Sequence, residues 1–119
     1  MDNVELDPQS IMKELQTFRH KLGTLNGEIV KLGNKKSEAE RKYRVLRAQK
    51  IVILRDAKVP VTIITDLVKG DEEVAQLKLE FDALDVLYDN KRENIRSLRD
   101  VMSVYQSILN YLRIEITGG

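Results

Sequence analysis

The chain has 119 residues, of which 33% are charged, 42% hydrophobic and 5% aromatic, and its net charge is +1. That length predicts one domain, and that mix predicts helical or coiled-coil structure rather than disorder. The near-neutral balance gives no electrostatic reason to expect a nucleic-acid or membrane partner. There is no cysteine, which excludes disulfides, thiolate metal sites and a cysteine nucleophile and suits a cytoplasmic chain.

The first residues, "MDNVELDPQ", are acidic and polar, unlike a signal peptide. The longest uninterrupted apolar run, Ile51 to Leu54, is far short of a membrane span, so no membrane partner is expected. Asp7-Pro8 reads as a helix start: Asp7 caps unpaired N–H groups and Pro8 suits the first helical position.

From Ile11 a 4-3 spacing then runs without a phase slip through Leu15, Phe18, Leu22, Leu25, Ile29, Leu32, Lys36, Ala39, Tyr43, Leu46, Lys50, Ile53 and Ala57. A stripe that regular is a coiled-coil seam and predicts a helix over about 8–57. Gly23, Gly27 and Gly33-Asn34 weaken it, by roughly 1 kcal/mol per glycine. Gly33-Asn34 could break or kink the helix, whereas the unbroken phase argues that it continues.

Residues 57–73, "AKVPVTIITDLVKGDEE", interrupt the pattern. Val, Ile and Thr favour a strand, but a lone strand would have no partner in a chain otherwise helical. The better reading is a tip with a short helix over about 60–69. Pro60 stops the first helix, Thr62 caps the short one, Gly70 ends it and Asp71 caps the next. Ile63, Ile64, Leu67 and Val68 would form its apolar face. That face either plugs the hairpin against Ile53, Leu54, Val74 and Leu77 or serves as a docking tip.

A second seam follows: Val74, Leu77, Phe81, Leu84, Tyr88, Lys91, Ile95, Leu98, Met102, Tyr105, Leu109, Leu112 and Ile116. It predicts a helix over about 71–115, with flexible termini beyond the helices. Two similar runs joined by a short segment make an all-α, elongated antiparallel helical hairpin. Folding it about residue 65 sets Leu46 near Leu84, Tyr43 near Tyr88, Leu25 near Tyr105 and Phe18 near Leu112. Lys36 and Lys91 would both fall at the waist, either exposed or served by Glu38, Glu40 and Asp89.

Apolar residues also lie off the seams, at Val45, Val52, Leu79, Val86, Leu87 and Ile114, and Val101, Val104 and Ile108 follow a second i, i+3, i+7 stripe. A widened apolar face asks for another partner. The expectation is a homo-oligomer, a larger bundle with Val101, Val104 and Ile108 as its face. The alternative is that the glycines let the N-terminal segment fold back over that face.

Charge is segregated. Residues 31–58 carry ten Lys or Arg against three acids, and residues 71–90 carry seven acids against Lys78. The basic run either binds phosphates, with Arg41, Arg44, Arg47, Lys50, Arg55 and Lys58 as the nucleic-acid contacts, or faces the acidic run across the hairpin. No catalytic constellation is found: His20 is the only histidine, and Ser10, Ser37, Ser97, Ser103 and Ser107 have no histidine nearby to form a nucleophile–base pair. The chain is therefore expected not to be an enzyme and to need no cofactor or metal.

The segment 43–99 resembles small uncharacterised proteins of Gram-positive phages and prophages. The likeness lies in an arginine-containing helix, then Pro60-Val61-Thr62, Ile64, Asp66-Leu67 and Gly70, then a long helix with Tyr88 and Glu93. It covers about half of the chain. The resemblance implies a recombination or replication neighbourhood among phage early genes, and so a non-enzymatic accessory protein acting by self-assembly and by binding protein or nucleic acid. The alternative is a coiled-coil scaffold, or an inhibitor of a host protein, without nucleic-acid contact.

Overall fold

The computed structural model describes residues 7–118, and the side chains of residues 7–115. The helix over these residues is arranged as α1 (Pro8–Asp56), α2 (Val61–Lys69) and α3 (Glu72–Gly118). The fold is an all-α hairpin in which α1 packs antiparallel to α3 and α2 joins them. The chain divides into two compact units, Met1–Ile29 with Lys91–Gly119, and Val30–Asn90, and each takes a stretch of α1 and a stretch of α3.

α1 runs unbroken through Gly33-Asn34. This excludes an N-terminal segment folded back at the glycines. A Cβ on Gly33 would stand 3.4 Å from Cε2 of Tyr88, an ordinary van der Waals contact. The Lys36 ammonium lies over the same ring at 4.8 Å. Gly23 and Gly27 meet nothing within 4 Å, so neither is required for close approach.

The helix starts follow the expected chemistry. Asp7 accepts from the Ser10 backbone N–H at 2.8 Å and from the Ser10 hydroxyl at 3.1 Å. Asp71 accepts from the Val74 N–H at 3.1 Å. The N–H of Ser10 is the main reason the Asp7 carboxyl sits below its ordinary value, and the N–H of Val74 does the same for Asp71.

The tip differs from expectation in three ways. Thr62 does not cap α2: it lies inside the first turn, and Pro60 holds the cap position with no side-chain hydrogen bond. Gly70 ends α2 in a right-handed conformation, φ −84°. The left-handed residue is Lys58, at φ 63°. There the Lys58 N–H bonds the Arg55 carbonyl at 3.0 Å, and the Val59 N–H reaches back to Leu54 at 3.1 Å. That is a Schellman ending with a lysine where glycine is usual, and Pro60 follows it.

The expected seam faces inward on α1 as far as Lys50, where every position from Ile11 to Lys50 is buried or half-buried, and on α3 at every position from Val74 to Leu112. Ile116 lies outside the described side chains. Ile53 and Ala57 are exposed, because the last turns of α1 turn a different face inward. Ile51 and Leu54 there pack on the Ile64–Val68–Val74 cluster, together with Tyr43, Leu46 and Val59. The tip helix therefore lies back along α1 and buries Ile64 and Val68, while Ile63 and Leu67 stay exposed.

This placement shifts the pairing. Lys50 meets Asp71 at 3.3 Å, so α3 begins level with Lys50 and not with the end of α1. Tyr43 stacks on Phe81 with ring centroids 6.3 Å apart, and in the other unit Phe18 meets Tyr105 edge-on at 5.0 Å. The expected partners, Tyr88 for Tyr43 and Leu112 for Phe18, lie one heptad further on. A slip of seven residues keeps every seam residue facing inward, which is why periodicity alone could not detect it.

The two seam lysines are paired. Lys36 meets Asp85 at 2.9 Å and Lys91 meets Glu28 at 2.6 Å. The hydrogen bond to Asp85 is the main cause holding the Lys36 ammonium above its ordinary value, and the charge of Asp89 adds to it. The acids expected to serve them, Glu38 and Glu40, pair instead with Arg41 and Arg44 on their own helix.

Candidate binding surfaces

Among the described residues no group of His, Asp and Glu could hold a metal ion, and no helix is long and apolar enough to cross a membrane. What α1, α2 and α3 present are charged and apolar surfaces.

The six basic residues singled out by sequence do not form one stripe. At 100° per residue, Arg41, Arg44 and Arg55 lie on the side of α1 turned away from α3, Arg47 lies at its edge and Lys50 in the seam. Glu38 holds Arg41 through two hydrogen bonds, 2.6 and 3.1 Å. That contact lowers the Glu38 carboxyl and raises the Arg41 guanidinium. Glu40 holds Arg44 at 2.8 Å. Lys50 is engaged by Asp71, and Lys58 closes the Schellman turn. The basic run thus meets the acidic run across the hairpin at Lys36–Asp85 and Lys50–Asp71, while Arg41, Arg44 and Arg55 turn outward.

One cationic cleft does gather residues from all three helices. About 270 Å³ in volume, it is lined by Arg47, Lys69 and Lys78 with Tyr43, Val68 and Val74 among its walls. Lys78 lies over the Tyr43 and Phe81 rings at 5.6 and 5.5 Å and pairs with Asp82 at 2.7 Å. Its ammonium is raised chiefly by that Asp82 contact. Arg47 is the only one of its three cations that the sequence marks as a contact. Lys69 and Lys78 join it because α2 folds back on α1, which no local spacing encodes.

The stripe Val101, Val104 and Ile108 is divided. Val101 and Val104 are exposed, but Ile108 packs against the Ile11–Leu15–Leu109 cluster. The reason is that Ile108 flanks both Tyr105 and Leu109, whose seam it widens. Within Val30–Asn90 the off-seam residues Val45, Val52, Leu79 and Val86 are all exposed, by 44, 51, 62 and 58%.

Compared with protein-family models, with curated proteins and with solved structures, the chain matches none.

Proposed function

We propose that the chain is a non-enzymatic binding protein that works by helix–helix association, as an accessory protein of a phage recombination or replication module. The observation that carries this reading is the apolar residues left exposed on helices whose seams are already filled. Val45 and Val52 on α1, and Leu79 and Val86 on α3, continue heptad spacing on the sides turned away from the hairpin contact. Single exposed apolar residues are ordinary, but ones repeating at helical period ask for another helix. The phage assignment rests on the motif from Pro60 to Gly70 and on its neighbours.

Sedimentation equilibrium of the whole chain tests the association. The expected result is a weight-average mass that rises with concentration; a monomer throughout the range would sink the reading.

A second reading, direct nucleic-acid contact, draws on the cleft of Arg47, Lys69 and Lys78. Phosphate contacts release counterions, so affinity for single- or double-stranded DNA should fall steeply as salt rises. No binding even at low salt removes this reading and leaves the protein-binding one in place.

A further inference from the structure

The geometry points to a second copy of this chain as the occupant of the outer face of α1, through the outer face of that copy's α3. The inference rests on the association proposed above and names its surfaces.

Two stripes within Val30–Asn90 have matching form. On α1, Val45, Ala48 and Val52 are exposed and lie on the side away from α3; on α3, Leu79, Ala83 and Val86 are exposed and lie on the side away from α1. Each is a large, a small and a large residue. The gaps are three then four on α1, and four then three on α3. Laid antiparallel, the two orders coincide: Val45 meets Val86, Ala48 meets Ala83, and Val52 meets Leu79. The alanine pair in the middle lets the backbones approach closely, while the larger residues interdigitate on both sides.

Charge decides which stripe meets which. Arg41, Lys42, Arg44 and Arg55 flank the α1 stripe, two of them paired with Glu38 and Glu40, and Glu80, Asp82 and Asp89 flank the α3 stripe, with Lys78 paired to Asp82. Pairing α1 with α1 would set arginines against arginines, and pairing α3 with α3 would set carboxylates against carboxylates. α1 with α3 sets the cation-rich flank against the carboxylate-rich one, and the antiparallel register puts Arg41 and Lys42 level with Asp89. The Glu38–Arg41 and Glu40–Arg44 pairs within α1 are exposed, so they do not prevent this; exposed pairs of that kind hold weakly.

The two stripes face away from each other on one copy. A contact between unlike faces of this kind does not close as a two-fold dimer and instead repeats from copy to copy. The assembly therefore grows with concentration and weakens with salt.

The test uses two variants of the whole chain in sedimentation equilibrium. Val45→Gln/Val52→Gln removes the α1 stripe and Leu79→Gln/Val86→Gln removes the α3 stripe, all at exposed helical positions. The expected result is that wild type shows masses above a dimer, each variant alone is monomeric, and their equimolar mixture forms a species of two chains through the one intact α1 and the one intact α3 face. If the α1 variant still dimerises alone, the contact is α3 to α3; if the α3 variant does, it is α1 to α1; either result overturns the inference. Wild-type association unchanged in both variants overturns this surface while leaving the proposed association standing. A monomeric wild type overturns both.

Discussion

The Ile11–Leu15–Leu109 cluster and the Ile64–Val68–Val74 cluster each bury three aliphatic side chains, but they are built differently. The first is a meeting of two long helices along one heptad seam, widened by Met102, Tyr105, Ile108 and Leu112. The second draws on three helices, because α2 lies back on the end of α1 and adds Ile51, Leu54 and Val59 to Tyr43 and Leu46. A seam extends by repetition, so its loss at one layer is shared by the layers on either side. The three-helix cluster sits where α2 has no side-chain cap of its own. α2 is nine residues long, too short to persist without tertiary packing. Its helicity therefore depends on Ile64 and Val68 being buried.

The largest expected effects test that difference. Ile64→Ala and Leu15→Ala should each cost about 2–5 kcal/mol by chemical denaturation, as for other buried aliphatic truncations. They should part in amide exchange. Ile64→Ala releases the whole of α2, whereas Leu15→Ala raises exchange only near its own layer. Equal, local release in both would show that α2 holds its helix without the cluster. Next in size, and opposite in sign, is Gly23→Ala with Gly27→Ala. A Cβ at either position meets nothing within 4 Å, so the pair should stabilise the chain by about 1 kcal/mol each through helix propensity alone. Gly33→Ala should give a similar gain, since its Cβ would only touch the Tyr88 ring at van der Waals distance.

The same contrast explains what could be read from sequence. The seam through Ile11, Leu15, Leu109 and their neighbours was legible because a 3.5-residue period fixes which face turns inward. Its pairing register was not, because sliding by one heptad leaves that face unchanged. Fixing the register required knowing that α2 folds back beside Leu54, and that followed from the left-handed turn at Lys58, a residue with no local mark of such a conformation. The surfaces divide likewise. Val45, Val52, Leu79 and Val86 stood out as apolar residues off the seam, and Arg47 as a basic one. The partners of Arg47 in the cleft, Lys69 and Lys78, were hidden by the same fold-back of α2, and Ile108 fell to the core because a flank of a seam looks like a second stripe.

A cap sharpens the comparison at the start of α3. Asp71 carries a carboxyl below its ordinary value of 3.8, held there first by the Val74 N–H and then by Lys50. A group lowered on folding contributes stability that is full above its unfolded value and is lost as pH falls through the lower folded one. Asp71→Ala should therefore lower the melting temperature at neutral pH, and the gap from wild type should begin to narrow as pH falls below about 3.8. Asp7→Ala should behave alike at the start of α1, without the Lys50 contribution. Lys58→Gly should follow with a stabilisation of about 1 kcal/mol, since glycine accepts the left-handed turn without a steric cost. A loss instead would mean that the lysine side chain contributes more than its backbone strain removes.

The smallest effect is the most pointed. Ile53 occupies the thirteenth position of the α1 seam and is 60% exposed, whereas its neighbour Leu54 is half-buried against Val68 and Ile64. A seam continuing to the end of α1 would make Ile53 the costly residue and Leu54 the indifferent one. The fold-back of α2 reverses that order, because it draws the inward face of the last turns round to Ile51 and Leu54. Ile53→Ala should fall within about 0.5 kcal/mol of wild type, as substitutions at exposed sites do. Leu54→Ala should cost clearly more, since it opens the cluster of Ile64, Val68 and Val74. Denaturation of the two side by side decides the point: a larger loss at Ile53 would return α2 to the end of the hairpin as a plug and restore the register in which Tyr43 faces Tyr88.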